Sequence, residues 1–352
     1  MGYYQHIIFT IKIIRMFKTI MILNKELSTD ISICIPTYKR VKPLIRCLKS
    51  ILDLKITNLS IEIIISANSE LNDEVKEYII KNFKVSTFKV NVIEQKNNIG
   101  MYKNWNFLLN IATSDWITIL NDDDILDNSW TTYVDNYLNS SFNNNKSLFA
   151  PSIEMFGSKI PNSNSSKYNK FFQKIRFFKK EYISLSLFDV LNRTIIGGVL
   201  NVLFHKDSAK EIYFFDKYYH PSADYLFVSS YIIKFGGYRK LDIGGYYNWE
   251  DNDTFKKNRK AKFVIQSFKI RQEIILQEVK YKLVRPVFNL ANYIHLYLSY
   301  FNYRFEDNKF RINILEKQFY GDFSVMSKVP KKALRIFLRV IYFFGDFKKF
   351  SK

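Results

Sequence analysis

Three consecutive aspartates, Asp122, Asp123 and Asp124, follow an apolar run at residues 117–120. The run is rich in β-branched residues and predicts a buried strand, so the carboxylates would lie at its carboxyl end, where open α/β sheets bind ligands. Adjacent carboxylates repel one another unless a cation neutralises them, and their oxygens suit Mg²⁺ or Mn²⁺, which take phosphate oxygens as further ligands. The triplet therefore predicts a site for a metal-bound diphosphate. An acidic turn that caps a helix is the alternative.

The elements that must position this site alternate along the chain from Asp30 onward. Strands are predicted at residues 31–35, 61–65, 88–93 and 116–120, and helices at 44–52, around 75–79 and at 105–112. Strands that alternate with helices predict a parallel sheet covered on both faces. Further along, a helix is predicted at residues 223–235, and two glycine pairs at 236–237 and 244–245 are expected to bracket a short strand.

The charge of the chain predicts a polyanionic partner. Lys and Arg number 53 against 33 Asp and Glu, a formal net charge of +20 at pH 7. Nucleic acid, an anionic membrane surface or a phosphorylated substrate would each suit this excess, and a general compositional bias is the bland alternative. The apolar fraction of 47% excludes a disordered chain. Cys34 and Cys47 have no metal-ligand spacing and form no disulfide framework, so a reducing compartment fits.

The two ends of the chain differ from its middle. Residues 1–27 are basic and apolar, with no uncharged run near the ~18–20 residues of a spanning helix and no basic region ahead of the apolar part, as a signal peptide would have. We interpret this segment either as an interfacial amphipathic helix or as an extension ahead of a start at Met16 or Met21. After about residue 258, apolar residues at helical spacing predict a helical region. We therefore expect segments at 1–28, 29–257 and 258–352.

The last predicted helix separates cationic from apolar side chains. Lys332, Arg335 and Arg339 fall on one face, and the apolar residues Leu334, Phe337, Leu338 and Ile341 fall on another. This pattern is typical of a helix lying on an anionic membrane, and a helix docked on its own domain is the alternative.

Four stretches of the chain carry a family resemblance, in order and with the expected spacing. They are residues 32–40, which read Ser-Ile-Cys-Ile-Pro-Thr-Tyr-Lys-Arg, residues 61–66 with Asn68, residues 97–105, and the run Asp122 to Asp124. In these the chain resembles the family 2 glycosyltransferases. The resemblance implies an α/β, GT-A fold, which is a Rossmann-like, mostly parallel central sheet with helices on both faces, here followed by a helical C-terminal region.

The resemblance also implies roles for individual residues. It assigns to the nucleotide-sugar site Pro36, Thr37, Tyr38, Arg40, Asn68, Asn98, Gly100, Lys103 and Asp122. It implies Asp123 and Asp124 as ligands of Mn²⁺ or Mg²⁺, which would neutralise charge on the leaving diphosphate. For Asp124 a cap on the helix near Ser129 is the alternative. The family usually has an acidic residue where this chain has Asn68.

A catalytic base is expected at Asp224. The family often places this base in a Glu-Asp pair that opens a helix, and here Ala223 stands where the Glu would be. An inverting transfer needs one carboxylate to take the acceptor proton. A residue that only complements the helix dipole is the alternative.

These features together predict a metal-dependent, inverting glycosyltransferase. It would move a sugar from a nucleotide diphosphate donor to a bacterial surface glycan, such as capsule, O-antigen or lipooligosaccharide, or to a lipid-linked glycan. We expect it in the cytoplasm, with peripheral contact with the inner face of the anionic membrane. A donor-binding relative without turnover remains the alternative. A nucleotidyltransferase would need a Gly-rich loop after the first strand, and a nucleic-acid-binding protein is opposed by the aspartate run, so no nucleic acid is expected.

Overall fold

The computed structural model of the chain describes residues 17–55, 57–157, 181–192, 198–212, 219–248, 260–278, 285–304 and 328–346. Contacts divide them into two units. The first unit contains the described residues up to 184 together with 198–212 and 234–248. The second unit contains the remaining described residues, and each unit is described by itself below.

The strands of the described residues are Phe17–Leu23 (β1), Ile31–Thr37 (β2), Ile61–Ala67 (β3), Lys89–Gln95 (β4), Trp116–Ile119 (β5), Ile125–Leu126 (β6), Leu148–Phe156 (β7), Ile183–Leu185 (β8), Phe204–His205 (β9) and Gly237–Asn248 (β10). The main sheet has the order β1-β4-β3-β2-β5-β9, in which the four inner strands are parallel and both edge strands antiparallel. A smaller sheet has the order β6-β10-β7. The mostly parallel main sheet confirms the predicted α/β fold.

The helices of the described residues are Lys42–Leu52 (α1), Asp73–Phe83 (α2), Met101–Ile111 (α3), Trp130–Leu138 (α4), Leu187–Asn192 (α5), Lys206–Lys210 (α6), Ala223–Phe235 (α7), Lys260–Glu278 (α8), Arg285–Arg304 (α9) and Lys331–Asp346 (α10). The predicted helix at residues 223–235 and the predicted helical C-terminal region are both present. No helix within the described ranges is long and apolar enough to cross a membrane.

Helices cover both faces of the main sheet. Successive side chains of a strand point to opposite faces. Ile33 and Ile35 of β2 therefore share a core cluster with Leu44 and Leu48 of α1. Cys34 points the other way, and its thiol lies 4.0 Å from the carbonyl oxygen of Leu108 in α3. Burial on both faces explains why β2 and β3 are largely apolar, and their buried polar side chains Ser32 and Glu62 hydrogen-bond to each other at 2.8 Å.

The segment before residue 29 contributes the edge strand β1, which differs from the interfacial helix of the first interpretation. Phe17 pairs with Gln95 and Leu23 pairs with Val90, in antiparallel register with β4. The interfacial-helix interpretation is therefore wrong for residues 17–23, because their backbone pairs with β4 and three of their side chains, Ile20, Met21 and Leu23, pack against the core. The prefix up to residue 16 lies outside the described residues.

Asn24 fastens this edge strand to the rest of the unit. Its side-chain amide donates to the carbonyl oxygens of Phe83, Ser86 and Phe88 at 3.3, 2.9 and 2.9 Å. Asn24→Asp keeps the shape but donates nothing, so we expect the free energy of unfolding in urea to fall by about 1–3 kcal/mol. Asn145→Asp is the matched control, because this exposed asparagine has a similar φ of +60° against +54° for Asn24. Equal effects of the two substitutions would contradict the assigned role.

The strand β10 is longer than the short strand expected between the glycine pairs. It extends from Gly237 to Asn248 and contains the second pair. A Cβ atom at Gly244 would lie 2.5 Å from the Cβ of Pro151, and one at Gly245 would lie 3.1 Å from the carbonyl oxygen of Ile125. The pair is therefore required by close packing inside the small sheet and does not end the strand.

The division into units differs from the predicted boundary at residue 257. Residues 185–192 and 219–233 group with the helical C-terminal region and not with the main sheet. Hydrogen bonds within the second unit give the reason. The hydroxyl of Ser222 donates to the carbonyl oxygen of Phe263 at 3.3 Å, and the hydroxyl of Tyr225 donates to that of Val190 at 2.7 Å.

Candidate functional site

The carboxyl ends of β2 and β5 bring Thr37 and Asp122 together. The Thr37 hydroxyl donates to Asp122 Oδ2 at 2.6 Å, and the backbone N–H of Tyr38 also bonds this carboxylate. Burial raises the pKa of Asp122 to about 6, although the Thr37 hydrogen bond and the charge of Arg40 act in the opposite direction. The carboxylate of Asp122 is therefore a buried anion at the edge of the sheet.

One guanidinium group joins the first two aspartates of the triplet. Arg40 Nη1 lies 3.4 Å from Asp122 Oδ1 and also contacts Asp123 Oδ2. Arg46 donates to the backbone carbonyl oxygen of Asp123 at 3.0 Å. Two carboxylates from adjacent residues thus converge on a single cation. We name this group the acidic cluster, meaning Asp122, Asp123 and Arg40.

The third aspartate points elsewhere. Asp124 is 1% exposed, and its carboxylate accepts from the backbone N–H of Asn248 at 3.0 Å and from the side-chain amide of Asn121 at 3.2 Å. Burial raises the pKa of Asp124 well above its usual range, and the neighbouring charge of Asp123 adds to this. Asp124 therefore ties the turn to the end of β10, and its role as a metal ligand stays a prediction.

The alternative role of Asp124 as a helix cap is wrong. Helix α4 begins at Trp130, and the turn before it is fastened by Asp127. The side chain of Asp127 accepts from the N–H of Ser129 at 2.8 Å, and its carbonyl oxygen accepts from the N–H of Trp130 at 3.0 Å. The residue that serves the helix start lies three positions after Asp124.

A cavity of about 440 Å³ opens beside the acidic cluster, at the carboxyl ends of β2 and β3. Its lining is formed by Thr37, Lys39, Arg40, Val41, Ala67, Ser69, Glu70, Leu71, Asn72, Asp73 and Val75. This volume lies in the range of small-molecule sites. Tyr38 is 44% exposed, and the Lys39 amine lies 5.4 Å from the centre of its ring. Pro36 is buried in β2, where it pairs with Ser66.

Asn68 lies just beyond β3, and its side chain holds the loop before α3 by two hydrogen bonds. Its Oδ1 accepts from the N–H of Ile99 at 3.4 Å, and its Nδ2 donates to the carbonyl oxygen of Gly100 at 3.5 Å. Asn98 holds the same loop, because its Oδ1 accepts from the N–H of Gly100 at 2.9 Å. Gly100 has a φ of +83°, a conformation that favours glycine, at the start of α3. Lys103 is exposed on the first turn of that helix.

Sequence reasoning missed nine of the eleven residues that line the cavity, among them the charged residues Lys39 and Glu70. Glu70 supplies a carboxylate only two positions after Asn68, which stands where the family usually has an acidic residue. The signal that could have found both residues is their position just past the carboxyl ends of two neighbouring parallel strands.

Asp224 belongs to the second unit and is described there by itself. It is half-buried in the first turn of α7, and its Oδ1 accepts from the N–H of Tyr225 at 2.8 Å. Burial raises the pKa of Asp224 to about 6, with backbone hydrogen bonds acting against that shift. A carboxylate with such a pKa has the proton affinity that a general base needs near neutral pH.

One family model and several solved structures are similar to this chain. Residues 32–188 match the family model described as glycosyl transferase family 2. No curated protein sequence matches the chain. Among solved structures, S. aureus TarS 1–349 in complex with UDP-GlcNAc is similar at a TM-score of 0.56 and 12% identity, with 76% of this chain and 72% of that chain covered. The same protein in complex with UDP gives a TM-score of 0.54 and 13% identity, with 74% and 69% covered.

At these identities the structural likeness shows a shared fold. The family match starts in β2 and contains the end of β2, the cavity and the aspartate triplet. Residues 32–188 of the chain are therefore a glycosyl transferase family 2 domain, and the chain has the GT-A fold.

Proposed function

We propose that this protein transfers a sugar from a nucleoside diphosphate donor to a hydroxyl of a bacterial cell-surface glycan. One observation carries the proposal: the cavity and the acidic cluster share residues. Thr37 lines the cavity and bonds Asp122, and Arg40 lines the cavity and contacts both Asp122 and Asp123. A base held in the cavity would therefore place its diphosphate over the acidic cluster.

The residues present fit a divalent cation with few protein ligands. The described residues contain no group of three or more Asp, Glu, His or Cys side chains that would form a full cage. Mg²⁺ and Mn²⁺ at phosphate sites are commonly held by one or two carboxylates, with phosphate and water as the other ligands. Asp122 and Asp123, which already converge on one cationic nitrogen, supply that pair. A bound cation would neutralise charge on the departing diphosphate.

Other residues of the chain would bind the donor and activate the acceptor. Lys39 and Arg40 bring positive charge to the cavity wall, where diphosphate oxygens need it. Tyr38 offers an exposed ring for stacking, and Asn68 and Asn98 fix the loop that ends at Gly100. Asp224 would accept the proton of the attacking acceptor hydroxyl, which makes the transfer a single displacement with inversion.

Glycans of the capsule, O-antigen or lipooligosaccharide type, or their lipid-linked precursors, are the proposed acceptors. These acceptors are the ones expected from the sequence. The family and the likeness in fold to TarS, one structure of which contains UDP-GlcNAc, support a nucleotide-sugar donor. UDP sugars are therefore the first donors to test.

Release of nucleoside diphosphate from a panel of UDP, GDP, CDP and dTDP sugars tests the proposal, with Mn²⁺, with Mg²⁺ and with a chelator. We expect release from one nucleotide class, faster with the metal and faster again when a glycan acceptor is present. Donor binding without any release, with acceptors present, would favour the alternative of a relative that binds donor without turnover. Neither binding nor release across the panel would contradict the proposal.

A further inference from the structure

Helix α10 is docked on the second unit by only part of its surface. Its side chains are described up to residue 338. Leu334 and Leu338, one turn apart, are 6% and 7% exposed, and the helix contacts α5 and α9 of the same unit. The predicted alternative of a helix packed on its own domain is therefore correct for this face. The docking leaves the other faces of the helix uncovered within the unit.

The first uncovered face is apolar. Ile336 is 50% exposed, Phe337 is 37% exposed, and Val329, just before the helix, is 39% exposed. Ala333 is also exposed. In sequence order these residues are 329, 333, 336 and 337, and steps of four, three and one residues place them on one side of a helix. Large apolar side chains grouped on one face in water mark an interaction surface.

The second uncovered face is cationic. Lys328, Lys332 and Arg335 are exposed, and each lies one residue before a member of the apolar face. A step of one residue turns a helix by about 100°, so the two faces lie side by side around the helix. No acidic residue occurs between residues 328 and 345, so the charge along this surface has one sign. We name the two faces together the α10 strip.

We propose that the α10 strip lies on an anionic membrane surface. The apolar side chains would enter the boundary between head groups and acyl chains, and the cationic side chains would contact lipid phosphates. A polyanion such as nucleic acid would use the cations but leave the apolar face in water. An anionic bilayer uses both faces at once. The inference rests on a surface of the second unit and does not depend on transferase activity.

Co-sedimentation of the full chain with vesicles tests this inference. The vesicles are phosphatidylcholine alone, or phosphatidylcholine with phosphatidylglycerol, each at low and high salt. We expect the wild-type chain to bind the anionic vesicles, with weaker binding at high salt. Lys332→Glu with Arg335→Glu is expected to weaken binding at least about thirtyfold. Ile336→Ser with Phe337→Ser is expected to weaken it at least about tenfold.

Matched variants on the first unit control for general charge and hydrophobicity. Lys81→Glu with Lys84→Glu makes the same change of net charge. Both lysines are exposed, the first within α2 and the second just after it. Ile80→Ser with Val85→Ser removes two apolar side chains that are 46% and 88% exposed. Both controls are expected to bind the vesicles about as the wild type does, and thermal melting shows that every variant is folded.

Three results would overturn the inference. The first is failure of the wild-type chain to bind anionic vesicles. The second is an equal loss in the control and the strip variants, which would reduce the effect to net charge. The third is duplex DNA binding that is lost in the Lys332 and Arg335 variant but kept in the Ile336 and Phe337 variant, with vesicle binding unaffected by either. That pattern would assign the strip to nucleic acid.

Discussion

Asp224→Asn is expected to lower kcat for sugar transfer by about 10²–10⁴-fold, because an amide cannot take the proton of the acceptor hydroxyl. The affinity for the nucleoside diphosphate is expected to stay near the wild-type value, because the cavity is lined by residues of the first unit. Initial rates at saturating donor, with donor binding measured by calorimetry, separate the two effects. Wild-type turnover in this variant would remove Asp224 from the mechanism.

Asp224→Asn is also expected to change the stability of the protein. Burial raises the pKa of Asp224 from 3.8 to about 6, so the folded protein binds this proton more tightly than the unfolded chain does. The stability gained from this tighter proton binding is fully present below the pKa of the unfolded chain and is lost as the pH rises through the pKa of the folded protein. At neutral pH the charged carboxylate therefore destabilises the fold, and Asp224→Asn is expected to raise the free energy of unfolding by up to about 3 kcal/mol.

The titration of Asp224 also sets the pH dependence of the rate. The ionised form, which destabilises the fold, is the form that catalysis needs. The base must be ionised, so kcat is expected to fall by about tenfold per pH unit below about pH 6. Asp207→Asn is the matched control for a mere helix-dipole role, because Asp207 is an exposed acid in the first turn of α6. This control is expected to keep wild-type turnover and the wild-type pH profile. A loss of turnover equal to that of Asp224→Asn would contradict the assignment.

Asp123→Asn is expected to abolish the stimulation of transfer by Mn²⁺ and to lower kcat/KM by about 10²-fold or more. The substitution keeps the size of the side chain but removes one of the two charges that converge on Arg40. Mn²⁺ binding in the presence of nucleoside diphosphate, followed by electron paramagnetic resonance, provides a readout that does not depend on turnover. Unchanged Mn²⁺ affinity in this variant would contradict the proposed metal site.

Asp124→Asn separates a structural role from metal binding. Asp124 accepts hydrogen bonds from Asn248 and Asn121. If these hydrogen bonds are the whole role of Asp124, the variant is expected to bind Mn²⁺ as the wild type does, and only the free energy of unfolding is expected to change. A loss of Mn²⁺ affinity like that of Asp123→Asn would instead confirm the sequence-based assignment of Asp124 as a metal ligand.

The inner strands of the main sheet could be predicted from the sequence because burial on both faces leaves a local, largely apolar signal. Residues 31–37 and 61–67 are buried throughout. The edge strand β1 could not, because its sequence, Phe-Lys-Thr-Ile-Met-Ile-Leu, has no strict polar–apolar alternation and fits a helix as well as a strand. What decides the matter is pairing with β4, some seventy residues away in the chain.

The candidate site shows the same limit. The positions of Thr37 and Asp122 followed from two strand ends, which the sequence locates well. The direction of Asp124 depends on Asn248, which is 124 residues later, and the packing around Gly244 depends on Pro151. The grouping of residues 219–233 with the C-terminal helices likewise depends on contacts such as that of Ser222 with Phe263. No local pattern encodes these long-range partners.

Titration of the protein with UDP, GDP, CDP, ADP and dTDP, with and without Mn²⁺, determines whether the cavity and the acidic cluster form one nucleoside diphosphate site. We expect one-to-one binding of one of these nucleotides, strengthened by Mn²⁺ and weakened by Arg40→Ala and by Asp123→Asn. Failure of all five to bind, or binding that is indifferent to Mn²⁺ and to both substitutions, would contradict this expectation.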